Sequence, residues 1–207
     1  MNIREKVHPL ISYAVLGGFL LLSIVLLLSA VKADTTGKKL AARTYSPAKI
    51  YSGATLVTSK GSIDIQFLSD KTPKTVENFI ILAEKKFFDG TKFHRVIKNF
   101  IIQGGDPESL SDDTSNYGRG GPGYTFDDEI VGEKMKRGVV AMANFGPNTN
   151  GSQFFILLAK EAPWLDRKHT VFAYVTGGLD IADEIAASVA KDDVPTIPIE
   201  LREVILR

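Results

Sequence analysis

Arg95 sits in FHRVIKNFIIQGGD (93–106), with Gln103 following it among Phe93, Val96, Ile97, Phe100, Ile101 and Ile102. Farther along come Asn144 behind AMA, Gln153 and Phe155 in SQFFIL, and Trp164, Leu165, Asp166 and His169 in WLDRKHT. The set joins one guanidinium and several amides to apolar rings, and it holds no obvious nucleophile. Arg95, Ile101 and Gln103 share odd parity across a turn at 98–99. Gln153 and Phe155 fall on one face of their strand, with Phe154 and Ile156 on the other. The chemistry on offer is hydrogen bonding to a polar group held in an apolar groove. A solvated sheet face explains any one of these residues; it does not explain the group.

Other motifs carry less. GRGGPG (118–123) matches G-x-G-x-x-G, yet it follows a polar loop and places Pro122 where a helix should begin, so a dinucleotide site is rejected. Asn150-Gly151-Ser152 is a glycosylation sequon by pattern and a turn before a strand by context. Ser152, Asp166 and His169 are the residue types of a hydrolase triad, but no G-x-S-x-G elbow is present. The histidines are His8, His94 and His169, and they do not cluster for a metal; no cofactor is expected.

The elements that must position the groove residues read as follows. ATLVT (54–58) and SIDIQFL (62–68) flank Ser59-Lys60-Gly61 as a hairpin. Thr72 is a candidate N-cap before Pro73, and Val76, Phe79, Ile80 and Ala83 recur at helical spacing. Strand-like runs follow at 92–97, 100–103, 138–143, 153–158 and 170–175. A helix fits 179–190 with Val189 on its apolar stripe, and the chain ends in a closing strand. The helices are too few and wrongly placed for a parallel βαβ sheet. The expected fold is mainly β, an eight-stranded closed antiparallel barrel capped by two α-helices.

The chain has 207 residues, no cysteine and a formal net charge of +1. Residues 1–33 carry Arg4, Lys6 and Lys32 against Glu5, which is +2, so the remainder is close to −1. That near-neutral balance argues against nucleic acid as a partner. Without cysteine there are no disulfides or thiolate sites. Leu10 to Val31 is a 22-residue uncharged stretch, long enough to be a single transmembrane helix ahead of the barrel. Two readings stay open: a retained anchor with the domain outside the membrane, or a signal segment cleaved after Ala33 that releases the domain. Residues 34–50 read as a linker and 51–207 as the folded domain. Nothing demands more than a monomer.

Taken together, FHRVIKNFIIQGGD (93–106), GPGYTFDDE (121–129), MANFGPNTNGSQFFI (142–156) and WLDRKHTVF (164–172) resemble the cyclophilins, a family of peptidyl-prolyl cis-trans isomerases. The resemblance runs in order over about residues 51–207. It implies the capped barrel, a site on the barrel's outer face, and proline-containing polypeptides as substrates. It assigns the catalytic role to Arg95 and substrate binding to Phe100, Ile101, Gln103, Ala143, Asn144, Gln153, Phe155, Trp164, Leu165 and His169. Gln103 is expected to orient Arg95, and cyclosporin-type inhibitors become candidate ligands. A peptide-binding or chaperone module using the same groove without turnover is the alternative. The chain departs from many relatives in Ile101 for Met, Phe145 for a small residue and Arg167 for Gly. These changes bear on substrate preference and leave Arg95 untouched.

Overall fold

The computed structural model describes residues 50–207; the expected membrane segment and nearly all of the linker lie outside them. Among the described residues no helix is long and apolar enough to cross a membrane.

The domain is a curled antiparallel sheet with two helices. In chain order its elements are β1 (Gly53–Thr58), β2 (Ser62–Phe67), α1 (Pro73–Glu84), β3 (Thr91–Lys92), β4 (Arg95–Ile97) and β5 (Ile101–Gly104). Then come β6 (Val139–Met142), β7 (Phe154–Leu157), β8 (Val171–Gly177), α2 (Leu179–Ala186), β9 (Ala190–Lys191), β10 (Val194–Pro195) and β11 (Glu200–Leu206). Nine strands form one sheet in the order β3-β11-β1-β2-β8-β6-β7-β5-β4, and β9 and β10 form a separate hairpin. The two outermost strands, β3 and β4, are consecutive in the chain, with only Phe93 and His94 between them. The sheet therefore curls until both of its edges belong to one segment. The expected single strand over 92–97 is split because its halves have different partners: Thr91 and Lys92 pair with β11, while Arg95 to Ile97 pair with β5.

The strands have two apolar faces, and the alternation sorts side chains between two cores. Ile102, Val140, Met142, Phe154 and Ile156 point into the main core, which also takes Val76, Phe79 and Ile80 of α1 and Ala182, Ile185 and Ala186 of α2. Their neighbours Ile101, Val139, Ala141, Phe155 and Leu157 form a second, smaller cluster with Met135, Ala162 and Val171. Phe79 is the hub of the main core, with Phe67, Phe88, Phe154 and Phe172 at ring distances of 5.0–5.7 Å.

Side-chain hydrogen bonds, near and distant in the chain, fix several element ends. Thr58 closes the β1–β2 turn by donating through Oγ1 to the Gly61 carbonyl at 2.7 Å. Pro73 opens α1 as expected, but Thr72 does not cap it with its side chain. Its hydroxyl donates to the Leu68 carbonyl instead. The cap comes from Glu129, whose carboxylate accepts from the Lys74 and Thr75 amides at 3.2 and 2.8 Å and from the Thr75 hydroxyl at 2.7 Å. The second helix is shorter than expected. It ends at Ala186, and Val189 lies outside it with 76% of its surface exposed. The chain turns there into the β9–β10 hairpin, an element the sequence reading did not include.

Candidate active site

Register across the sheet builds the site. Arg95 of β4 faces Gln103 of β5, Gln103 faces Phe155 of β7, and Phe155 faces Ala141 of β6. One row across three neighbouring strands thus carries the guanidinium, an amide and an aromatic ring, all on the face of the smaller apolar cluster. The turn between β4 and β5 is made by Lys98 and Asn99, the latter at φ +60°, a left-handed conformation that asparagine tolerates. It returns Phe100 and Ile101 beside Arg95. Gly105, at φ +81°, ends β5; a Cβ there would stand 2.5 Å from the Ser152 carbonyl oxygen.

A cavity of about 410 Å³ opens on this row. Of the residues singled out from sequence, Arg95, Phe100, Ile101, Gln103, Ala143, Asn144, Phe155, Leu165 and His169 line it. Gln153 lines an adjoining cavity of about 710 Å³, which shares Gln103, Ala143, Asn144 and Phe145 with the first. Trp164 lines neither; it is 59% exposed and stacks on Phe100 at 6.2 Å beside the entrance. Phe145, on the boundary of the two cavities, is 78% exposed, so it stands at the rim and leaves the second cavity open.

The amides form a chain. Gln103 donates from Nε2 to Gln153 Oε1 at 2.9 Å, and Gln153 donates in turn to the Gly120 carbonyl at 2.8 Å. Gly120 is packed so closely that a Cβ would come within 2.1 Å of Asp106 Oδ1, which ties the 118–123 loop down against Asp106. That loop opens no helix, and it lines the second cavity. The Gln103 side chain does not hydrogen-bond the Arg95 guanidinium. The guanidinium instead donates from Nε to Asp193 Oδ2 at 3.3 Å, and both side chains are about half exposed.

His169 closes the apolar side. Its Nδ1 lies 3.0 Å from the Met142 carbonyl, an acceptor only, so Nδ1 carries the proton. The ring meets Phe155 edge-on at 5.3 Å. Burial pushes its pKa below the ordinary histidine value, against the pull of the Met142 carbonyl and of Asp128. The imidazole is neutral at pH 7. The triad suggested by residue types is absent. Ser152 Oγ donates to the Gly105 carbonyl, while the Met135 amide and the Lys134 ammonium hold the Asp166 carboxyl below the usual carboxylate range. Asn150 of the sequon is fully buried and donates to Phe126 and Asp128. No group of acidic or histidine side chains suited to a metal occurs among the described residues.

The structure adds His94, Thr114, Tyr117, Gly118, Asp192, Asp193 and Val194 to the cavity wall. His94 stands beside Arg95 in the motif, and its only sequence signal is that of a lone, unclustered histidine. It is 3% exposed, neither ring nitrogen has a hydrogen-bonding partner among the described residues, and burial lowers its pKa against the pull of Asp106. Asp192 and Asp193 gave no signal in sequence, since a two-residue turn normally declares itself with glycine or asparagine.

Comparison with known proteins agrees with this geometry. Residues 54–205 match the family model described as cyclophilin type peptidyl-prolyl cis-trans isomerase/CLD. Peptidyl-prolyl cis-trans isomerase ppi1 of Schizosaccharomyces pombe is 44% identical over 155 residues, which covers 72% of this chain and 94% of the relative. Isomerase B of Streptomyces anulatus is 46% identical over 154 residues, covering 65% and 83%. A crystal structure of a Cryptosporidium parvum cyclophilin type isomerase in the presence of the dipeptide Ala-Pro superimposes with a TM-score of 0.68 at 31% identity, covering 75% of this chain and 98% of that one. Arg95, the apolar cavity wall and the amide row stand inside the matched region, and the chain belongs to the cyclophilin family as a peptidyl-prolyl cis-trans isomerase.

Proposed function

We propose that Xaa-Pro segments of polypeptides bind across the row Arg95–Gln103–Phe155 with the proline ring in the 410 Å³ cavity, and that Arg95 is the catalytic residue. Rotation about an Xaa-Pro bond crosses a barrier of about 18–20 kcal/mol because it breaks amide resonance. In the twisted state the prolyl nitrogen regains a lone pair. A fixed guanidinium hydrogen-bonds to that nitrogen, or to the prolyl carbonyl, more strongly than in the planar ground state, which lowers the barrier by differential binding. Phe100, Ile101, Phe155, Leu165 and His169 hold the ring while the preceding chain rotates. Gln103, Gln153, Ala143 and Asn144 take the extended backbone, and Trp164 borders the groove.

No proton has to move, so a neutral His169 serves as wall and not as base. The observation that carries the reading is the presence of Arg95 in the wall of a cavity where Phe100, Ile101, Phe155 and Leu165 supply apolar surface beside it. Arg95→Ala is expected to lower kcat/KM for an Xaa-Pro peptide by about two to three orders of magnitude, while calorimetry still detects peptide binding. A wild-type rate in that variant would overturn the assignment.

With β3 and β4 taken as one interrupted strand, the sheet becomes eight strands in a closed ring. A cyclosporin-type cyclic peptide would compete for the same groove. The N-terminal 22-residue apolar segment further suggests an isomerase tethered at a membrane with its domain outside, acting on exported chains during folding. N-terminal sequencing of the membrane-associated protein separates this from cleavage after Ala33.

A further inference from the structure

The guanidinium of Arg95 has one hydrogen-bonding partner among the described residues, and it is not the Gln103 side chain beside it on β5 but Asp193. Asp192 and Asp193 are the two central residues of the β9–β10 hairpin, whose strands pair Lys191 with Val194 and Ala190 with Pro195. Both aspartates have positive φ, +52° and +65°, the backbone of a two-residue turn that normally takes Asn-Gly. Aspartate is a costlier choice at such positions than asparagine or glycine, so the carboxylates need a reason outside the turn.

One reason is visible. The Asp193 carbonyl accepts from the Val96 amide at 2.7 Å, which bolts the turn to β4 at the residue next to Arg95. The backbone bond and the left-handed conformation together aim the Asp193 side chain at the guanidinium, where Oδ2 accepts from Nε. A bond at Nε leaves both terminal amino groups of Arg95 for substrate. A long side chain, about half exposed, is otherwise free to leave the cavity.

We infer that Asp193, carried on the β9–β10 turn, is the positioning residue of Arg95, holding the guanidinium by Nε over the proline cavity. The inference rests on Arg95 being the catalytic residue. It also explains why Gln103 can be spent on Gln153: the orienting task has moved from the sheet to a separate hairpin.

The full chain tests this with Asp193→Gly and Asp193→Asn, both of which suit φ +65° better than aspartate and so leave the turn folded. Asp193→Gly removes the acceptor; Asp193→Asn keeps a side-chain oxygen for Nε. With kcat and KM of an Xaa-Pro peptide separated by NMR exchange at low salt, Asp193→Gly is expected to lower kcat about two- to fivefold with KM little changed. Asp193→Asn is expected to restore most of the rate. In an Arg95→Ala background, Asp193→Gly should have no further effect. A wild-type or faster rate in Asp193→Gly overturns the proposal. So does an equal loss in Asp193→Asn, or an undiminished loss in the Arg95→Ala background. If Arg95→Ala itself keeps the wild-type rate, the catalytic assignment has failed, a different outcome from any of these.

Discussion

His94 and His169 show how the cavity treats ionisable groups. Both are pushed below the ordinary histidine pKa, first of all by burial. A base with a depressed pKa in the folded state binds fewer protons there than in the unfolded chain, so stability rises with pH. The contribution is neutral above the unfolded value of about 6.5, turns destabilising as pH falls through it, and levels off below the folded values. The urea midpoint should therefore fall between pH 7 and pH 5, and His169→Gln should flatten that slope; an unchanged slope would place the loss elsewhere. Because no proton is transferred in the rotation, kcat/KM should stay level from pH 7 to pH 9. Arg167 is another residue-scale case. It adopts φ +60°, a left-handed conformation that glycine takes without cost, which makes Arg167→Gly a tolerated change.

At the scale of elements, the site depends on pieces that meet only through long-range bonds. Glu129 caps α1 from 54 residues away along the chain, and its own amide donates to the Thr170 hydroxyl just before β8. A carboxylate at a helix N-terminus also meets the helix dipole favourably. Glu129→Ala should lower unfolding free energy by about 1–2 kcal/mol in urea titration, since it strips acceptors from the first turn of α1. Thr72→Ala should cost less, because the Thr72 hydroxyl does not reach the helix amides. The β9–β10 hairpin is the converse lesson. Its turn lacks glycine, and the helical spacing of apolar residues in α2 continues through Val189 in the sequence. In the structure Val189 has no core to enter, and the helix stops where packing stops.

For the whole molecule, two apolar clusters on opposite faces of one sheet separate stability from function. Phe79→Ala removes the hub of the main core and should cost about 3–5 kcal/mol, lowering Tm by roughly 6–20 °C in a domain of this size. The kcat of the folded fraction should be nearly unchanged, as none of the rings around Phe79 lines the cavity. A parallel loss of kcat would mean that the clusters are mechanically coupled. Much of this was legible in the chain. Alternation in IIQG and FFIL assigns Ile101, Gln103 and Phe155 to one face and Ile102, Phe154 and Ile156 to the other, because strand period two is a local property of the backbone. Long motifs did the same for the family. The sequence by itself determined which residues share a strand face and where the turns at 59–61 and 98–99 fall. Only the tertiary structure decided what holds Arg95, what caps α1 and how one segment supplies both edge strands of the sheet. Those depend on contacts between residues as distant as Arg95 and Asp193, whose meeting is set by the packing of the whole sheet and leaves no periodic trace in the chain.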